Sequence, residues 1–359
     1  MQTIRLAIAG VGNCASSLVQ GIEFYRTHDP GETAGVLHPR IGGYRIQDIQ
    51  VVCAFDVDRR KVGKPLDEAV FAEPNCTTRF EPKLPPYDVR VQMGPPHDGI
   101  AAHMADYADR QAFRLADAAP VDIAAELRRS GAEVLVCYLP VGSEDAVRHY
   151  AEACLEARVA LVNCIPVFIA SDPVWARRFD ECGLPLVGDD IKSQVGATIV
   201  HRSLARLLGD RGVQLDHTYQ LNTGGNTDFL NMLERRRLRS KRISKTESVQ
   251  DQLDVPLADD DIHIGPSDYV AWQRDNKVAF VRMEWRGFGE VPMHLELRLS
   301  VEDSPNSAGV AIDAIRCAKL GLERKLSGPL LEISAFAMKH PARQMRDIDA
   351  RRALERFLE

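Results

Sequence analysis

The sequence has few aromatic residues and no long apolar run. Phe, Trp and Tyr make up 6% of its 359 residues, and no stretch approaches the roughly 18 apolar residues that a membrane-spanning helix needs. The first residues are not typical of a signal peptide, because Arg5 interrupts their short apolar run, which continues directly into a glycine motif. We therefore expect a cytoplasmic protein with no membrane partner.

The eight cysteines lack the spacing of a metal or redox site. There is no C-x-x-C pair and no zinc-ribbon pattern. Several of them have apolar neighbours, which is typical of small buried side chains in a reducing compartment. The sequence therefore predicts neither a disulfide framework nor a structural metal.

Neither sign of charge is in large excess. Lys and Arg number 45 and Asp and Glu 51, which gives a net charge of −6. A mildly acidic chain is a poor general partner for nucleic acid. The one strongly basic run, residues 234–245, has no interleaved aromatic residue. Two interpretations of that run stay open: a solvated helix face, or a phosphate cradle in which Ser and Lys side chains converge on one anion.

Strands and helices alternate along the first part of the chain. The chain is longer than the roughly 250–300 residues that one core organises, so two domains are expected. Apolar patterns predict strands at 4–9, 49–55, 133–139, 159–163 and 185–187. Helical spacing occupies 16–25, 122–130, 144–157, 173–182 and a stretch from about 194. Residues 72–118, rich in proline, are expected to form loops and one short helix. The alternation predicts a parallel, doubly wound α/β sheet.

The pattern changes after about residue 212. Longer alternating strands at 214–222, 277–285 and 293–301 predict an antiparallel sheet. An apolar helical stripe then returns at 306–322. We expect an α/β fold in which a Rossmann-type domain, 1–200 completed by 305–359, carries an inserted α+β domain at 201–304.

A glycine turn follows the first strand. Gly10-x-Gly12-x-x-Ala15 leaves a strand and opens a helix, as a dinucleotide fingerprint does, although a plain strand-turn-helix has the same outline. Asp56 ends the second strand and is the candidate acceptor for the ribose hydroxyls, which favours NAD over NADP. It lies further along than the usual ~20 residues, so residues 27–48 are interpreted as an insertion. Asp58 is the competing acid.

Other patterns are less specific taken alone. Asp189, Asp190 and Lys192 follow a strand and open a helix, where α/β sheets bind ligands and where acids also suit a helix start. The cluster at 222–228 is typical of a turn. Apolar flanks make Lys277 and Lys339 resemble snorkelling lysines, and 303–307 is typical of a turn with an N-cap.

Seven longer motifs stand in a fixed order. They are Gly10-Val-Gly-Asn-Cys-Ala-Ser-Ser-Leu18, Tyr138-Leu-Pro-Val-Gly-Ser143, Gly188-Asp-Asp-Ile-Lys-Ser-Gln-Val-Gly-Ala197, Asn231-Met-Leu-Glu234, Ser240-Lys-Arg-Ile-Ser-Lys245, His263-Ile-Gly-Pro-Ser-Asp268 and Asp303-Ser-Pro-Asn-Ser-Ala-Gly309. Together, and over nearly the whole length, the chain resembles the myo-inositol-1-phosphate synthase (inositol-3-phosphate synthase) family, in its shorter actinobacterial and archaeal type.

The resemblance implies an isomerase, an intramolecular lyase of inositol and phospholipid biosynthesis. Such an enzyme converts D-glucose 6-phosphate to 1D-myo-inositol 3-phosphate with tightly bound NAD. Hydride leaves C5, the ketone acidifies the C6 protons, the enolate closes on the C1 aldehyde, and the hydride returns. This chemistry needs a phosphate clamp, proton shuttles and cations that stabilise oxyanions. The family also implies a homotetramer assembled through the second domain, and a divalent metal such as zinc in some members.

The resemblance also implies roles for particular residues. Lys277 is expected to be the central lysine of the C5 steps. The other predicted catalytic residues are Lys241, Lys245, Lys339, Asp190 and Asp303. The predicted NAD-binding residues are Gly10, Gly12, Asn13, Cys14, Asp56, Tyr150, Ser193, Asp228 and Lys241. The predicted substrate-binding residues are Ser267, Asp268 and Lys192.

Two departures from the family and two other functions accompany this interpretation. Residues 103–118 look longer than the actinobacterial type requires, and 224–228 differs from the eukaryotic version, so the metal preference does not transfer.

One alternative is an NAD oxidoreductase of the semialdehyde-dehydrogenase or dipicolinate-reductase type, which would consume cofactor and need no set of four lysines. The other is a non-catalytic sensor of NAD and sugar phosphate.

Overall fold

The computed structural model describes residues 3–29, 31 and 33–359. The elements up to residue 210 are β1 (Ile4–Ala9), α1 (Asn13–Thr27), β2 (Ile49–Asp56), α2 (Leu66–Ala69), β3 (Val91–Met93), α3 (Ile123–Ser130), β4 (Val134–Cys137), α4 (Glu144–Ala157), β5 (Ala160–Asn163), α5 (Pro173–Glu181), β6 (Pro185–Val187) and α6 (Ala197–Asp210). Those that follow are β7 (Gln214–Gly224), α7 (Thr227–Asn231), α8 (Arg239–Gln250), β8 (Ile262–Tyr269), β9 (Asn276–Arg286), β10 (Pro292–Glu302), α9 (Asp303–Glu323), β11 (Gly328–Pro329), α10 (Leu331–Ala337) and α11 (Asp347–Leu358).

Seven parallel strands form the larger sheet, in the order β11-β6-β5-β4-β1-β2-β3. From β3 to β6 this is the dinucleotide-binding order, whose ligand crevice opens between β1 and β4 at the carboxyl ends of the strands. Successive side chains of β1 enter different cores: Leu6 and Ile8 pack with residues of α1 and α9, and Ala7 packs with residues of α3 and α4. The predicted doubly wound α/β fold is confirmed.

The sequence missed the two outermost strands of this sheet. β3 has three residues and β11 has two, too few for an alternating pattern to be recognised. The helix expected from about residue 194 begins at Ala197, because the preceding residues form the loop that carries Ser193.

Four strands form the second sheet, in the order β10-β9-β7-β8. β10, β9 and β7 are antiparallel, as the sequence predicted. β8 is parallel to β7, so the prediction of a purely antiparallel sheet was wrong. Gly265 and Pro266 interrupt the alternation of β8 in the sequence, which explains why that strand was missed. One face of the sheet packs against α6 and α8 through Ala205, Val249 and Val281.

The long helix α9 returns to the first sheet. Its apolar stripe, which includes Ile312 and Ile315, lies in the same core as β1. The helix begins at Asp303, directly after β10, so its first turn lies where the two sheets meet. Within the described residues, no helix combines the length and the apolar character that crossing a bilayer requires.

Candidate active site

A cleft of about 1590 Å³, open solvent at its mouth included, lies at the carboxyl ends of the parallel strands. It is lined by residues from both sheets. The predicted site residues that line it are Gly10, Gly12, Asn13, Cys14, Asp56, Tyr150, Asp190, Ser193, Asp228, Lys241, Lys245, Ser267, Lys277, Asp303 and Lys339. The fold thus brings together groups that lie as far apart in the sequence as Gly10 and Lys339.

The glycine turn forms one end of the cleft. Gly10 has a φ of +91°, and a Cβ there would lie 2.7 Å from the carbonyl oxygen of Tyr138, so no other residue fits. Gly12 is the N-cap of α1 and provides no side-chain cap, and a Cβ on it would meet nothing within 4 Å among the described residues. An anion can therefore approach the amides of the first turn of α1, as a pyrophosphate does.

Asp56 is held rigidly at the end of β2. One carboxylate oxygen accepts a hydrogen bond from the amide of Val11 at 2.8 Å, and the other accepts from the amides of Val57 at 2.7 Å and Asp58 at 2.8 Å. The competing acid, Asp58, is occupied by Arg60 at 2.5 Å. Asp56 is therefore the acid that faces the cleft.

The thiol of Cys14 and the phenol of Tyr150, which both line the cleft, are not nucleophiles. Burial raises the pKa of Cys14 to about 12, so its thiol is protonated at neutral pH. Burial likewise raises the pKa of Tyr150 well above its usual value. Both residues supply shape and packing to the cleft.

Asp190 is the centre of a charged cluster that lines the same cleft. Its Oδ1 lies 3.0 Å from Nζ of Lys241 and 2.9 Å from Nζ of Lys339, and its Oδ2 accepts a hydrogen bond from Ser244 at 2.6 Å. The residue has a φ of +63°, a left-handed conformation that costs a non-glycine residue free energy. This strained turn aims the carboxylate at both lysines.

Burial opposes ionisation of Asp190, but the ammonium groups of Lys241 and Lys339 more than offset it and hold its pKa well below the usual range. Burial lowers the pKa of Lys339 to about 8, although Asp190 acts in the opposite direction. Burial, and then the charge of Lys277, lowers the pKa of Lys245 well below its ordinary value. The cluster therefore offers cations together with an amine that can lose its proton near neutral pH.

Lys277 also lines the cleft. Its ammonium lies 3.3 Å from Asp303 and 5.8 Å from the centre of the Phe229 ring. Burial raises the pKa of the carboxyl group of its neighbour Asp228, which is partly exposed to the cleft. Lysine and acid groups thus alternate along the cleft wall, which suits proton transfer and the stabilisation of developing oxyanions.

Two predicted substrate residues point elsewhere. The ammonium of Lys192 donates to the carbonyl of Ala335 at 2.8 Å and lies 3.6 Å from Asp347. Asp268 is 71% exposed and lies 3.4 Å from Arg235, whereas Ser267 lines the cleft. Successive residues of a strand face opposite sides, so Ser267 and Asp268 cannot both face the cleft.

Both interpretations of the basic run 234–245 hold, each for a different part of it. Lys241 and Lys245 are four residues apart on α8 and both line the cleft, while Arg235, Arg236 and Arg239 are exposed. Sequence reasoning missed Ser244, which lies between the two lysines, and Phe229. Only the helical spacing within Ser240–Lys245 could have indicated Ser244.

The described residues contain no group of three or more His, Cys, Asp or Glu side chains that could hold a metal ion. The divalent metal that the resemblance implied therefore has no such ligand set in this part of the chain.

Known proteins match the chain over its whole length. A family model described as Myo-inositol-1-phosphate synthase matches residues 196–304. The inositol-3-phosphate synthase of Mycolicibacterium smegmatis is 55% identical over 361 residues, covering 99% of this chain and 98% of that protein. That of Corynebacterium glutamicum is 51% identical over 362 residues, with the same coverage.

Solved structures agree with this fold. A crystal structure of Ari2 is 36% identical, with a TM-score of 0.78, and the match covers 99% of this chain and 98% of that one. The inositol-3-phosphate synthase of Caenorhabditis elegans has a TM-score of 0.76 at 16% identity, covering 99% and 85%. The second likeness is one of fold alone.

Proposed function

The chain belongs to the myo-inositol-1-phosphate synthase family, and from that premise we propose that it converts D-glucose 6-phosphate to 1D-myo-inositol 3-phosphate. Membership makes it an isomerase, an intramolecular lyase. The observation that carries the proposal for this chain is the convergence of Lys241, Lys245, Lys277 and Lys339 on the cleft that the glycine turn begins.

The residues present fit an NAD molecule. The open space at Gly12 and the amides at the start of α1 suit its pyrophosphate, and Asp56 suits the hydroxyls of a ribose. Bound NAD supplies a hydride acceptor for C5 that later returns the hydride, so the reaction causes no net oxidation. We assign Asn13, Cys14, Tyr150, Ser193 and Asp228 to the walls of this site, with Lys241 between cofactor and substrate.

We assign proton transfer to two of the lysines and the stabilisation of oxyanions to the other two. We assign Lys277 to the oxygen on C5, where its amine, beside Asp303, accepts the hydroxyl proton as the hydride leaves and returns that proton when the hydride returns. Lys241 and Lys339, held by Asp190, stabilise the oxyanions of enolisation and ring closure and help to bind phosphate. Lys245, whose pKa burial lowers, is the amine able to accept a proton from C6. Ser267 contacts the substrate.

A turnover experiment tests the proposal. The enzyme is incubated with glucose 6-phosphate and substoichiometric NAD, and the products are followed by phosphorus NMR. We expect many molecules of inositol phosphate per NAD, because the cofactor is regenerated in each cycle. Net NADH accumulation would favour a simple oxidoreductase of the semialdehyde-dehydrogenase type, and tight binding without product would favour a sensor.

We propose that the second sheet assembles the enzyme into a homotetramer. Leu221 and Phe280 are paired in register on β7 and β9 and are 44% and 41% exposed. Beside them, β10 is an edge strand of 11 residues, and a long free edge readily pairs with another chain. We also propose that residues 201–304 form this assembly domain and that 1–200 with 305–359 form the NAD domain.

Charges placed on that face should break the assembly. The double substitution Leu221→Lys with Phe280→Lys buries like charges in a two-fold or four-fold contact, so we expect a smaller species by size-exclusion chromatography with light scattering. Val174→Lys is the matched control, since Val174 is 65% exposed on α5. An unchanged mass for the double variant would contradict the assignment of the interface.

We propose a cytoplasmic location. The eight cysteines are free thiols in the structure, as expected in a reducing compartment.

A further inference from the structure

A buried carboxylate beneath the cleft, that of Asp275, joins three elements at once. Its side chain is 2% exposed and lies directly before β9. Its Oδ1 accepts hydrogen bonds from Nδ2 of Asn226 and from Oγ of Ser304, both at 2.9 Å, and its Oδ2 accepts from the amide of Ser304 at 3.2 Å. One carboxylate thus connects the start of β9 with the starts of α7 and α9.

The contact with Asn226 orients α7. Asn226 is the N-cap of that helix, and its Oδ1 accepts from the amides of Asp228 at 3.0 Å and Phe229 at 3.2 Å. Because Oδ1 is committed to the helix, Nδ2 must face a hydrogen-bond acceptor, and Asp275 provides it. The capped turn carries Asp228 and places the Phe229 ring beside Lys277.

The contact with Ser304 orients α9. The amide of Asp303 donates to the carbonyl of Asp275 at 3.0 Å, next to the two bonds that Ser304 makes with the carboxylate. These bonds set the first turn of the helix, where Asp303 faces Lys277 at 3.3 Å. Lys277 itself lies two residues after Asp275, within β9.

We propose that Asp275 is a positioning residue of the reaction: through Asn226 and Ser304 it holds Asp228, Lys277 and Asp303 in one arrangement without touching the substrate. This inference rests on the proposed function for its kinetic consequence. Misplacing a catalytic group by about 1 Å can cost about 10²-fold in rate, and this carboxylate bonds to the starts of the helices that carry Asp228 and Asp303.

The ionisation of Asp275 depends on the same hydrogen bonds. Burial, followed by the negative charge of Asp303, raises the pKa of Asp275 to about 6, and the donors Asn226, Thr77 and Ser304 oppose that rise. A substitution that keeps the shape of the side chain but exchanges hydrogen-bond donor and acceptor therefore tests the positioning role more specifically than a truncation does.

An exchange of the two side chains provides the test. In Asp275→Asn the new NH2 group faces a donor in either orientation of the side chain, Nδ2 of Asn226 or the backbone amide of Ser304. We therefore expect kcat to fall about 10²-fold while KM for glucose 6-phosphate stays near the wild-type value. Asn226→Asp alone sets two carboxylates against each other and should also lower kcat. In the double exchange, the new amide at 275 donates to the new carboxylate at 226, which still caps α7. We expect it to recover at least about tenfold over Asp275→Asn.

Hydrogen–deuterium exchange gives a second readout that does not depend on turnover. The amides of Asp228 and Phe229 should exchange faster in Asp275→Asn and return toward the wild-type rate in the double exchange. A wild-type kcat for Asp275→Asn would overturn the inference. So would a double exchange that is no better than Asp275→Asn in both kcat and amide protection. If wild type makes no inositol phosphate, the proposed function fails, and the amide protection alone decides whether Asp275 supports α7.

Discussion

Lys277→Ala should abolish turnover while NAD binding survives. The Lys277 ammonium lines the cleft beside Asp303 and the Phe229 ring, whereas the glycine turn and Asp56 are the groups assigned to NAD. If the Lys277 amine takes the proton from the C5 hydroxyl and later returns it, loss of that side chain should lower kcat by about 10³–10⁴-fold, within the range for a general acid–base group. Inositol phosphate is quantified under saturating glucose 6-phosphate, and the Kd of NAD is measured by calorimetry.

The control is another lysine far from the cleft. Lys83 is exposed, so Lys83→Ala should match wild type in both assays. Activity within tenfold of wild type for Lys277→Ala would remove Lys277 from the central role. Loss of NAD affinity in proportion to loss of activity would instead make it a cofactor-binding residue.

Asp190→Asn should lower both activity and stability. The substitution preserves the shape of the side chain and its contact with Ser244, but it removes the only charge that lies within 3.0 Å of both Lys241 and Lys339 in the described residues. Breaking a buried ion pair in this way costs about 3–5 kcal/mol, because a buried charge is left uncompensated. We expect the melting temperature at pH 7 to fall by several degrees and kcat to fall steeply.

The pH dependence of that deficit has a definite sign. Burial lowers the pKa values of Lys241 and Lys339, and the charge of Asp190 raises both of them. Without Asp190, both lysines therefore hold their protons less tightly in the folded protein than they do in the wild type. Stability then rises with pH wherever the unfolded state binds more protons. The deficit of Asp190→Asn relative to wild type should therefore narrow between about pH 7 and pH 10, the window below the ordinary lysine pKa.

Melting curves across that pH range check the expectation. Asp109→Asn is the matched control, since Asp109 pairs with Arg59 and Arg114 at the surface, where its side chain is 57% exposed, and solvent screens such pairs. A deficit for Asp190→Asn that widens with pH, or a wild-type melting curve, would contradict the account of the cluster.

Much of the first sheet could be predicted because its signals are local. β1, β6 and α4 have the boundaries that the sequence predicted, since a buried parallel strand and an amphipathic helix each leave a pattern within ten or so residues. β8 and β11 leave none, as their pairing depends on β7 and β6, which are distant in the sequence. Tertiary contacts alone specify such strands.

The cofactor-binding residues and the lysines of the cleft also differ in how far the sequence alone could identify them. The glycine turn and Asp56 were recognised from their position after a strand, and the structure explains that position through the φ of Gly10 and the amides around Asp56. Lys277 and Lys339 came only from the family resemblance, because apolar flanking residues do not distinguish a buried catalytic lysine from a snorkelling one.

The sequence by itself determined the doubly wound sheet, the glycine turn and the acid at the end of β2, because these follow from periodicity and from the conformations open to glycine. Only the tertiary structure decided that Lys241 and Lys339 share Asp190, that Lys192 faces Ala335 instead of the cleft, and that Asp275 joins three elements. These contacts join residues about 50 to 150 positions apart, and chain folding rather than local pattern sets which of them meet.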